Sequence, residues 1–271
     1  MPKVSVVSTY YNRKNELLRT LKSMSKSTFE DFEYVVVDDG SSSEHRIEEF
    51  LDSYPFLKIK RVEPQEKYYY NPCIPYNRAI AMATGDIIIL QSPECMYVGD
   101  PIQHAIDNVK YGQYFVYSCY SLGKDSSNKL ENINFELSVV ELEDEIVKHA
   151  GPFNKESCDK VGRYDSWFTH PIYRPITYNF LSAMTMRDMR ELGGFDERFA
   201  EGHAYDDTDF LARVLKKQMH ISIVEKPYCI HQYHPSVLNN VPDFWGKELK
   251  NRLLYEQLYN QPHYHVTNSF L

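Results

Sequence analysis

Six carboxylates lie between residues 194 and 215, beside a turn and at the start of a predicted helix. The helix is indicated by four apolar residues at the spacing of one buried face: Phe210, Leu211, Val214 and Leu215. It should begin near Asp206, with Asp207 and Asp209 in its first turn. Because the unpaired N–H groups of a helix start stabilise negative charge, we expect these acids to stay ionised at neutral pH and able to act as a base. Helix capping is the commoner use of such acids and stays open as an alternative.

Two apolar runs near the N-terminus predict neighbouring parallel strands. One is Val4 to Thr9, and the other is Phe32 to Val37. Between them, one helical face is predicted by the spacing of Leu17, Leu18, Leu21 and Met24, with Asn12 or Asn15 as the cap. This arrangement is a βαβ unit, and ligands bind beyond the carboxyl ends of parallel strands. Both strand exits should therefore face one crevice.

The second of these strands ends in Asp38-Asp39-Gly40 followed by three serines. A carboxylate at a strand exit can accept a hydrogen bond from the N3–H of a pyrimidine or from a ribose hydroxyl, and Gly40 allows a tight turn. A purely structural turn has the same composition and stays open as an alternative. The dinucleotide-binding and P-loop glycine motifs do not occur here, which excludes those two kinds of nucleotide site in their usual form.

The two strand exits resemble the start of family 2 glycosyltransferases, which have the GT-A fold and use nucleotide-sugar donors. The resemblance is carried by residues 4–13, Val-Ser-Val-Val-Ser-Thr-Tyr-Tyr-Asn-Arg, and by residues 35–42, Val-Val-Val-Asp-Asp-Gly-Ser-Ser. It implies that the nucleobase is held by Thr9, Tyr11 and Asp39, with Asn12 and Asp38 beside them.

Residues 77–86 are similar to the family element Asn-x-Ala-Ile-x-x-Ala-x-Gly-Asp. We expect a helix there that is closed by a glycine C-cap, followed by the buried strand Ile87 to Leu90. The resemblance implies that Asn77 or Arg78 lies near the nucleotide or the diphosphate. An exposed helix face is the alternative for Arg78.

The family's metal-binding Asp-x-Asp is replaced here by Gln91-Ser92-Pro93-Glu94. The match implies that Glu94 takes the place of the last aspartate, which coordinates a divalent cation, Mn²⁺ or Mg²⁺. One protein carboxylate can suffice when diphosphate oxygens and water complete the coordination. A histidine near His231 and His234 supplies a further ligand in several GT-A enzymes, which implies His234 as a second metal residue. A polar loop is the alternative for this pair.

Residues 178–209 resemble the second signature block of the family, in which Gly-Gly-Phe-Asp-Glu leads to an acidic helix start. The catalytic base of the family is the second acid of that start, which implies Asp207, with Asp206 supporting it and Asp209 facing the helix side. His203 and Tyr205 should line the same cleft.

The remaining predicted elements have no assigned chemistry. They are a helix from Glu48 to Tyr54, strands at Leu57–Lys60 and Phe115–Tyr120, a polar loop at Leu122–Asn132, a helix within Phe135–Ala150 and a strand from Ile221. Aromatic residues are densest between Gly162 and Arg174, where sugar stacking and core packing both explain them. The chain ends with an amphipathic helix, Phe244 to Tyr259, whose apolar face should pack on the body or on a second copy in a homodimer: Trp245, Leu249, Leu253 and Leu258.

Composition restricts the class of partner. The chain has 271 residues and a formal net charge of -8, which argues against nucleic acid or an anionic membrane surface. Five widely spaced cysteines without a CxxC pair indicate a reducing compartment rather than a disulfide framework. No signal peptide or membrane span is predicted, so we expect a cytoplasmic protein that meets a membrane only through its acceptor.

Together these patterns and the resemblance predict an α/β GT-A fold with a Rossmann-like, mainly parallel sheet flanked by helices. Residues 1–235 should form one domain, with a nucleotide-sugar half (1–100) and an acceptor half (101–235), and residues 236–271 a helical tail. The implied function is an inverting hexosyl- or N-acetylhexosaminyltransferase that moves a sugar from a UDP-sugar to a glycan, lipid-linked or protein hydroxyl. The alternative is a non-catalytic sugar-nucleotide- or glycan-binding relative with a degenerate metal site. A nucleotidyltransferase should carry a glycine-rich basic loop, which residues 8–13 lack.

Overall fold

The computed structural model describes residues 3–150, 169–235 and 242–260. Its strands are β1 Val4–Tyr10, β2 Phe32–Asp38, β3 Leu57–Arg61, β4 Ile87–Gln91, β5 Cys95–Val98, β6 Gln113–Ser121, β7 Leu181–Thr185 and β8 His220–His231. Its helices are α1 Lys14–Met24, α2 Cys73–Met82, α3 Pro101–Asn108, α4 Lys124–Lys129, α5 Val139–Ala150, α6 Met186–Leu192, α7 Asp206–Lys216 and α8 Phe244–Tyr259.

All eight of these strands belong to one mixed sheet, in the order β3-β2-β1-β4-β7-β6-β8-β5. The strands β3, β2, β1 and β4 are parallel to one another. The strand β7 is antiparallel to both of its neighbours, β6 and β8 are parallel, and β5 closes the far edge antiparallel to β8. The predicted α/β class with a mainly parallel, helix-flanked sheet is confirmed.

Helices cover both faces of the sheet because the central strands are apolar at successive positions. Val36 and Ile89 pack on the face that carries α1 and α3. Val37 and Ile88 pack on the opposite face, against α2, α6 and α7. Burial of both faces explains why these strands read as continuous apolar runs rather than as alternating patterns. The parallel arrangement then brings the exits of β1, β2 and β4 to the same edge.

Two helix termini differ from the sequence prediction. The cap residue of α1 is Arg13, and no side chain caps that helix; the Oδ1 of Asn12 instead accepts a hydrogen bond from the Ser42 N–H at 2.9 Å. The helix α2 begins at Cys73, earlier than predicted, and ends at Met82, followed by the extended residue Ala83. Gly85 is therefore not a C-cap.

Three other elements were also misjudged from local composition. Residues 48–50 form a single 3₁₀ turn instead of a helix reaching Tyr54. The predicted loop at 122–132 contains α4, because Ser127 and Leu130 are buried and hold it against the body. The short strand β5 was not predicted.

The C-terminal helix α8 has the predicted bounds but packs through a different face. Three of the four residues expected to pack on the body or on a second copy are exposed in the single chain: Trp245 by 77%, Leu249 by 40% and Leu253 by 55%. The buried side chains are Asn251 and Tyr255, the latter packed with Phe199 and Tyr205. Leu215 of α7 is likewise exposed, whereas the other three predicted core residues of that helix are buried. Within the described ranges, no helix combines the length and apolarity that crossing a bilayer requires.

Candidate active site

A cavity of about 730 Å³ opens at the edge where β1, β2 and β4 end. Its lining comes from residues 9–13, 39–40, 67–70 and 92–94, together with Pro64, Pro72, Tyr76 and His203. The parallel order of β2, β1 and β4 explains why residues far apart in the chain meet there. Of the residues predicted to bind the donor or a metal, Thr9, Tyr11, Asn12, Asp39 and Glu94 lie in this lining.

One end of the cavity is polar and centres on Asp39. Its Oδ1 accepts a hydrogen bond from the hydroxyl of Tyr69 at 2.7 Å, and its Oδ2 pairs with the Lys67 ammonium at 2.6 Å. The same ammonium lies 4.8 Å from the ring centroid of Tyr11, which is 45% exposed. Burial and the nearby Asp39 raise the pKa of Tyr69, so its hydroxyl stays a donor. Sequence reasoning missed Lys67 and Tyr69, for which the only signal was the tyrosine-rich composition of residues 68–70.

Asp38 and Asn12 shape the two loops of this end. Asp38 is fully buried and accepts hydrogen bonds from the Ser41 N–H at 2.9 Å and from Arg61 at 2.6 Å. Asn12 takes a left-handed backbone with φ 52, and its side chain binds the loop after β2. The contact between Asn12 and Ser42 joins the loops that follow β1 and β2. A direct contact of either residue with the donor stays a prediction.

The end of the cavity beyond β4, on the other side of β1 from Asp39, carries Glu94, which is 3% exposed. Its Oε2 pairs with Arg13 at 2.6 Å, and its Oε1 lies 3.0 Å from the Nε2 of His231 and 3.6 Å from that of His234. Burial works to raise the pKa of Glu94, but the charge of Arg13 and hydrogen bonds from the two histidines outweigh it and hold the pKa well below its usual range. Glu94 is therefore ionised at neutral pH.

The three residues Glu94, His231 and His234 present ligand atoms that all lie within 4.8 Å of one another. One carboxylate with two imidazoles is a donor set that divalent transition metals accept. The residues thus fit the cation that the family implies, and His231 is as well placed as the predicted His234. Arg13 occupies the second oxygen of Glu94, so a cation at this place would share that carboxylate with a guanidinium.

Asn77 and Arg78 lie outside the cavity lining in the structure. Both polar atoms of the Asn77 side chain bind the backbone of Phe195, at 2.8 Å each, which fastens α2 to the turn before α7. Arg78 is partly exposed and makes no hydrogen bond or ion pair with the described residues. Their predicted roles near the diphosphate are untested.

The predicted acidic helix start is the first turn of α7, which contains Asp206, Asp207 and Asp209. Asp206 accepts a hydrogen bond from the amide of Asn71 at 2.9 Å, and Asn71 lies between the cavity residues Tyr70 and Pro72. Asp207 is next along the helix, partly buried, with the Thr208 N–H donating to its Oδ1 at 2.7 Å. It is not itself part of the cavity lining. Asp209 faces the helix, where Arg213 binds it at 2.8 Å.

The protonation of Asp207 differs from the expectation for an exposed helix start. Burial, together with the negative charge of Asp206, raises the pKa of Asp207 to about 7. The expectation that it stays fully ionised at neutral pH was wrong, because an exposed helix start was assumed. A carboxylate with a pKa near the working pH is well matched to accepting a proton.

His203 and Tyr205 were both predicted to line the cleft beside Asp206 and Asp207, and the structure confirms this for only one of them. His203 lines the cavity as expected, and burial lowers its pKa, which keeps the ring neutral. Tyr205 does not line the cavity: it is buried, and its ring packs 5.7 Å from that of Tyr255. In the aromatic stretch at 162–174, Tyr164, Trp167 and Phe168 lie outside the described residues. The rings of His170 and Tyr173 stack at 4.4 Å.

Comparison with known proteins identifies two family models along the chain. The model for glycosyl transferase family 2 matches residues 5–173. The model for the N-terminal domain of galactosyltransferase matches residues 176–235, so the matched ranges end before α8.

Two curated relatives each match slightly less than half of this chain. The amylovoran biosynthesis glycosyltransferase AmsB of Erwinia amylovora is 28% identical over 131 residues, which cover 45% of this chain and 43% of AmsB. A glycosyltransferase of Rickettsia bellii is 26% identical over 134 residues, which cover 49% of this chain and 19% of that protein. The similarity thus spans less than half the length of either relative.

Solved structures share the fold over nearly the whole chain. TarS of S. aureus, residues 1–349 with UDP-GlcNAc, superposes with a TM-score of 0.61 at 16% identity, covering 97% of this chain and 68% of that one. The mannosyltransferase PcManGT of Pyrobaculum calidifontis, with GDP-Man and Mn²⁺, gives 0.54 at 15% identity, covering 94% and 64%. These likenesses show the GT-A fold. Because the first family model matches more than half of the residues, the chain belongs to glycosyl transferase family 2, whose members transfer sugars from nucleotide-sugar donors.

Proposed function

We propose that this chain is an inverting glycosyltransferase that moves one hexosyl or N-acetylhexosaminyl unit from a UDP-sugar to a hydroxyl group of a glycan, lipid-linked or protein acceptor. The proposal rests on one observation above the others. A single cavity is lined both by Asp39, a carboxylate suited to a nucleobase, and by Glu94, a carboxylate whose ligand atoms lie close to those of two imidazoles, His231 and His234.

The polar end supports a uracil base. Asp39 can accept a hydrogen bond from the N3–H of uracil, a donor that cytosine lacks, and the exposed ring of Tyr11 offers a stacking surface. Lys67 already lies beside both residues and can donate to a uracil carbonyl after it leaves Asp39. These contacts favour UDP over CDP.

The other end supports the diphosphate. Glu94, His231 and His234 would hold Mn²⁺ or Mg²⁺, which when bound offsets the charge that develops on the leaving diphosphate. Arg13 adds a fixed positive charge at the same end, on the carboxylate oxygen that the histidines do not face. This arrangement supports the binding of the donor's negatively charged diphosphate by a cation and by the Arg13 guanidinium.

Asp207 is proposed as the base of the reaction. It takes the proton of the acceptor hydroxyl while that oxygen attacks the anomeric carbon from the side opposite the diphosphate. The new carbon–oxygen bond forms as the bond to the phosphate oxygen breaks, and UDP leaves with that electron pair. One displacement of this kind inverts the anomeric centre. The raised pKa of Asp207 supports the role because it strengthens the carboxylate as a proton acceptor.

A calorimetric screen tests the proposal first. UDP, GDP, CDP and their sugars are titrated into the protein with and without Mn²⁺, and a transfer assay follows with a panel of hydroxyl acceptors. We expect UDP and a UDP-sugar to bind most tightly, and more tightly with the cation. Preference for another nucleotide would overturn the UDP assignment. Donor binding without transfer to any acceptor would favour the non-catalytic relative instead.

A further inference from the structure

The backbone that leads into α7 is held in an unfavourable conformation. Ala204 has φ 58 and Tyr205 has φ 70, two successive residues with side chains in the left-handed region. Such residues keep this conformation only where the surrounding structure imposes it. The contacts that impose it therefore decide where Asp206 and Asp207 are placed.

Those contacts come from the C-terminal helix α8. The side-chain amide of Asn251, which is fully buried, donates to the carbonyl oxygens of Phe199 at 3.0 Å and Ala204 at 2.8 Å. The Ala204 carbonyl also accepts from Asn71 at 3.0 Å, and the same Asn71 amide binds Asp206. The side-chain amides of Asn251 and Asn71 thus meet at the Ala204 carbonyl. Through them, hydrogen bonds connect α8 to Asp206 and to the cavity-lining loop that contains Asn71.

The fit between Asn251 and this loop is close. A Cβ atom on Gly202 would overlap the Oδ1 of Asn251, so only glycine lets the helix approach this far. Three further hydrogen bonds connect α8 to residues 203–209, and α8 provides the acceptor in two of them and the donor in the third. The Lys247 carbonyl accepts from the His203 N–H at 3.2 Å, the Tyr205 hydroxyl donates to Glu248 at 3.2 Å, and the Tyr259 hydroxyl donates to Asp209 at 2.6 Å.

We propose that α8 is a working part of the transfer site, in which Asn251 is a positioning residue that fixes the loop at 199–205 and thereby aligns Asp206 and Asp207 with the donor cavity. The inference rests on the proposed function, because it assigns Asn251 a role in transfer. It goes beyond that function because α8 follows the last residue matched by either family model.

The test compares Asn251→Leu, which keeps the size of the side chain and removes its donors, with Leu253→Ala on the exposed face of the same helix. For Asn251→Leu we expect UDP affinity and the donor KM to change by no more than about threefold, and kcat to fall by about 100-fold, the loss that a small misplacement of reacting groups produces. Leu253→Ala should transfer as the unmodified protein does. Unchanged kcat in folded Asn251→Leu overturns the proposal.

A double-mutant cycle separates positioning from general damage. If Asn251 acts through the base, Asn251→Leu should cause no further loss in an Asp207→Asn background, because the group it positions is already absent. Losses that multiply would show an independent effect and overturn the proposal. Should Asn251→Leu fail to fold, Tyr259→Phe removes only one hydroxyl from the same contact set and should lower kcat without changing UDP affinity. An unchanged kcat in Tyr259→Phe would contradict the proposed role of α8 in transfer.

Hydrogen exchange of the amides at 199–207 tests the role of Asn251 separately from the proposed glycosyltransferase function. Faster exchange in Asn251→Leu, with protection elsewhere unchanged, is expected whether or not an acceptor is found. Unchanged exchange at 199–207 overturns the role of α8 even if the protein transfers sugar. A lack of transfer by the unmodified protein, in contrast, overturns the proposed function and leaves the exchange result to decide the structural claim.

Discussion

At the scale of single residues, two adjacent carboxylates share one partly buried place at the start of α7. The Asp206 carboxylate accepts a hydrogen bond from the amide of Asn71, whereas Asp207 accepts hydrogen bonds from the N–H and the hydroxyl of Thr208. Each charge makes the other harder to form, so the pair titrates as a unit. This is how a carboxylate can become basic enough to take a proton near neutral pH.

Replacement of Asp207 by asparagine keeps the shape of the side chain and removes the proposed base. Because general-base catalysis contributes about 10²–10⁴-fold, transfer by Asp207→Asn should fall by that order while UDP binding stays near that of the unmodified protein. Steady-state transfer and calorimetry measure the two effects. Asp206→Asn should cost less, and a larger loss in Asp206→Asn than in Asp207→Asn would exchange the two roles.

The pH dependence of transfer follows from the raised pKa of Asp207. Since the base must be unprotonated, kcat should rise with pH through about 7 and level off above it. The charge of Asp206 contributes to that pKa, so Asp206→Asn should move the rise to lower pH. A rise at the same pH in both proteins would show that another group controls the rate.

The same raised pKa affects stability, with a definite sign. The folded protein holds a proton on Asp207 up to about pH 7, whereas the unfolded chain loses it near pH 3.8. The folded state therefore loses stability as pH rises between these values. Asp207→Asn removes this loss, so its thermal midpoint at pH 8 should exceed that of the unmodified protein, and the difference should shrink at pH 5. A lower midpoint at pH 8 would contradict this account.

Asp39 is predicted to bind the nucleobase of UDP. Asp39→Ala should weaken UDP binding by roughly 1–3 kcal/mol, the range for a buried hydrogen-bonding group left without its partner. Calorimetry with UDP measures the loss. Glu66→Ala is the matched control, because Glu66 is an exposed acid next to Lys67 outside the cavity lining. Equal affinity in Asp39→Ala and the control would remove Asp39 from the donor site.

Glu94 carries the expectation for the cation. Glu94→Gln keeps the size of the side chain but loses the charge, so the Mn²⁺ concentration needed for UDP binding should increase, and a chelator should depress transfer by the unmodified protein. Calorimetry at graded Mn²⁺ measures the first effect. Full transfer in the presence of chelator would show that Arg13 and other fixed charges serve the diphosphate without a metal.

At the scale of elements, the start of β4 depends on a very close approach to β1. A Cβ atom on Gly85 would lie 2.7 Å from the Ser5 nitrogen and 2.8 Å from the Val4 carbonyl carbon, both of which belong to the backbone. Gly85→Ala should therefore lower the free energy of unfolding by about 1–3 kcal/mol, as overpacking does. Gly123→Ala has open space around it and should change little. Denaturant unfolding compares the two variants.

The sequence correctly predicted the strands and helices whose formation depends mainly on their own residues. The strands β1, β2 and β4 are continuous apolar runs, and the start of α7 is set by the change from acids to an apolar face. The short strand β5 was missed because it consists of only four residues and exists through its pairing with β8. The residues through which α8 packs on the body were not predicted for a similar reason: Asn251 is buried by the carbonyl groups of Phe199 and Ala204, which the helix sequence does not contain.

The candidate site was predictable where the family resemblance supplied a motif and unpredictable where contacts join distant residues. Asp39, Glu94 and Asp207 belong to motifs. Lys67 reaches Asp39 across 28 positions, and His231 reaches Glu94 from the end of the last strand. No local pattern predicts which lysine or histidine makes such a contact, because the sheet order decides it.

At the scale of the whole molecule, the predicted donor and acceptor halves share one sheet. The strand β7 pairs with β4 along its full length, and β5, from the first 100 residues, pairs with β8 at the far edge. The sheet thus has no break at residue 100 among the described strands. We expect one cooperative thermal transition, with the same midpoint for the secondary structure and for the aromatic environment. Two separated transitions would show that the halves fold independently.

The position of β5 at the far edge also limits how this enzyme can be recombined with its relatives. A chimera that takes residues 1–100 from one protein and the remainder from another would pair a foreign β5 with β8, beside Glu94 and His231. Donor preference is therefore not a separable module of this chain. Exchange is expected to succeed only when residues 1–98, which include β5, are transferred together with the segment around β8, so that both paired strands and both sides of the candidate cation site come from one protein.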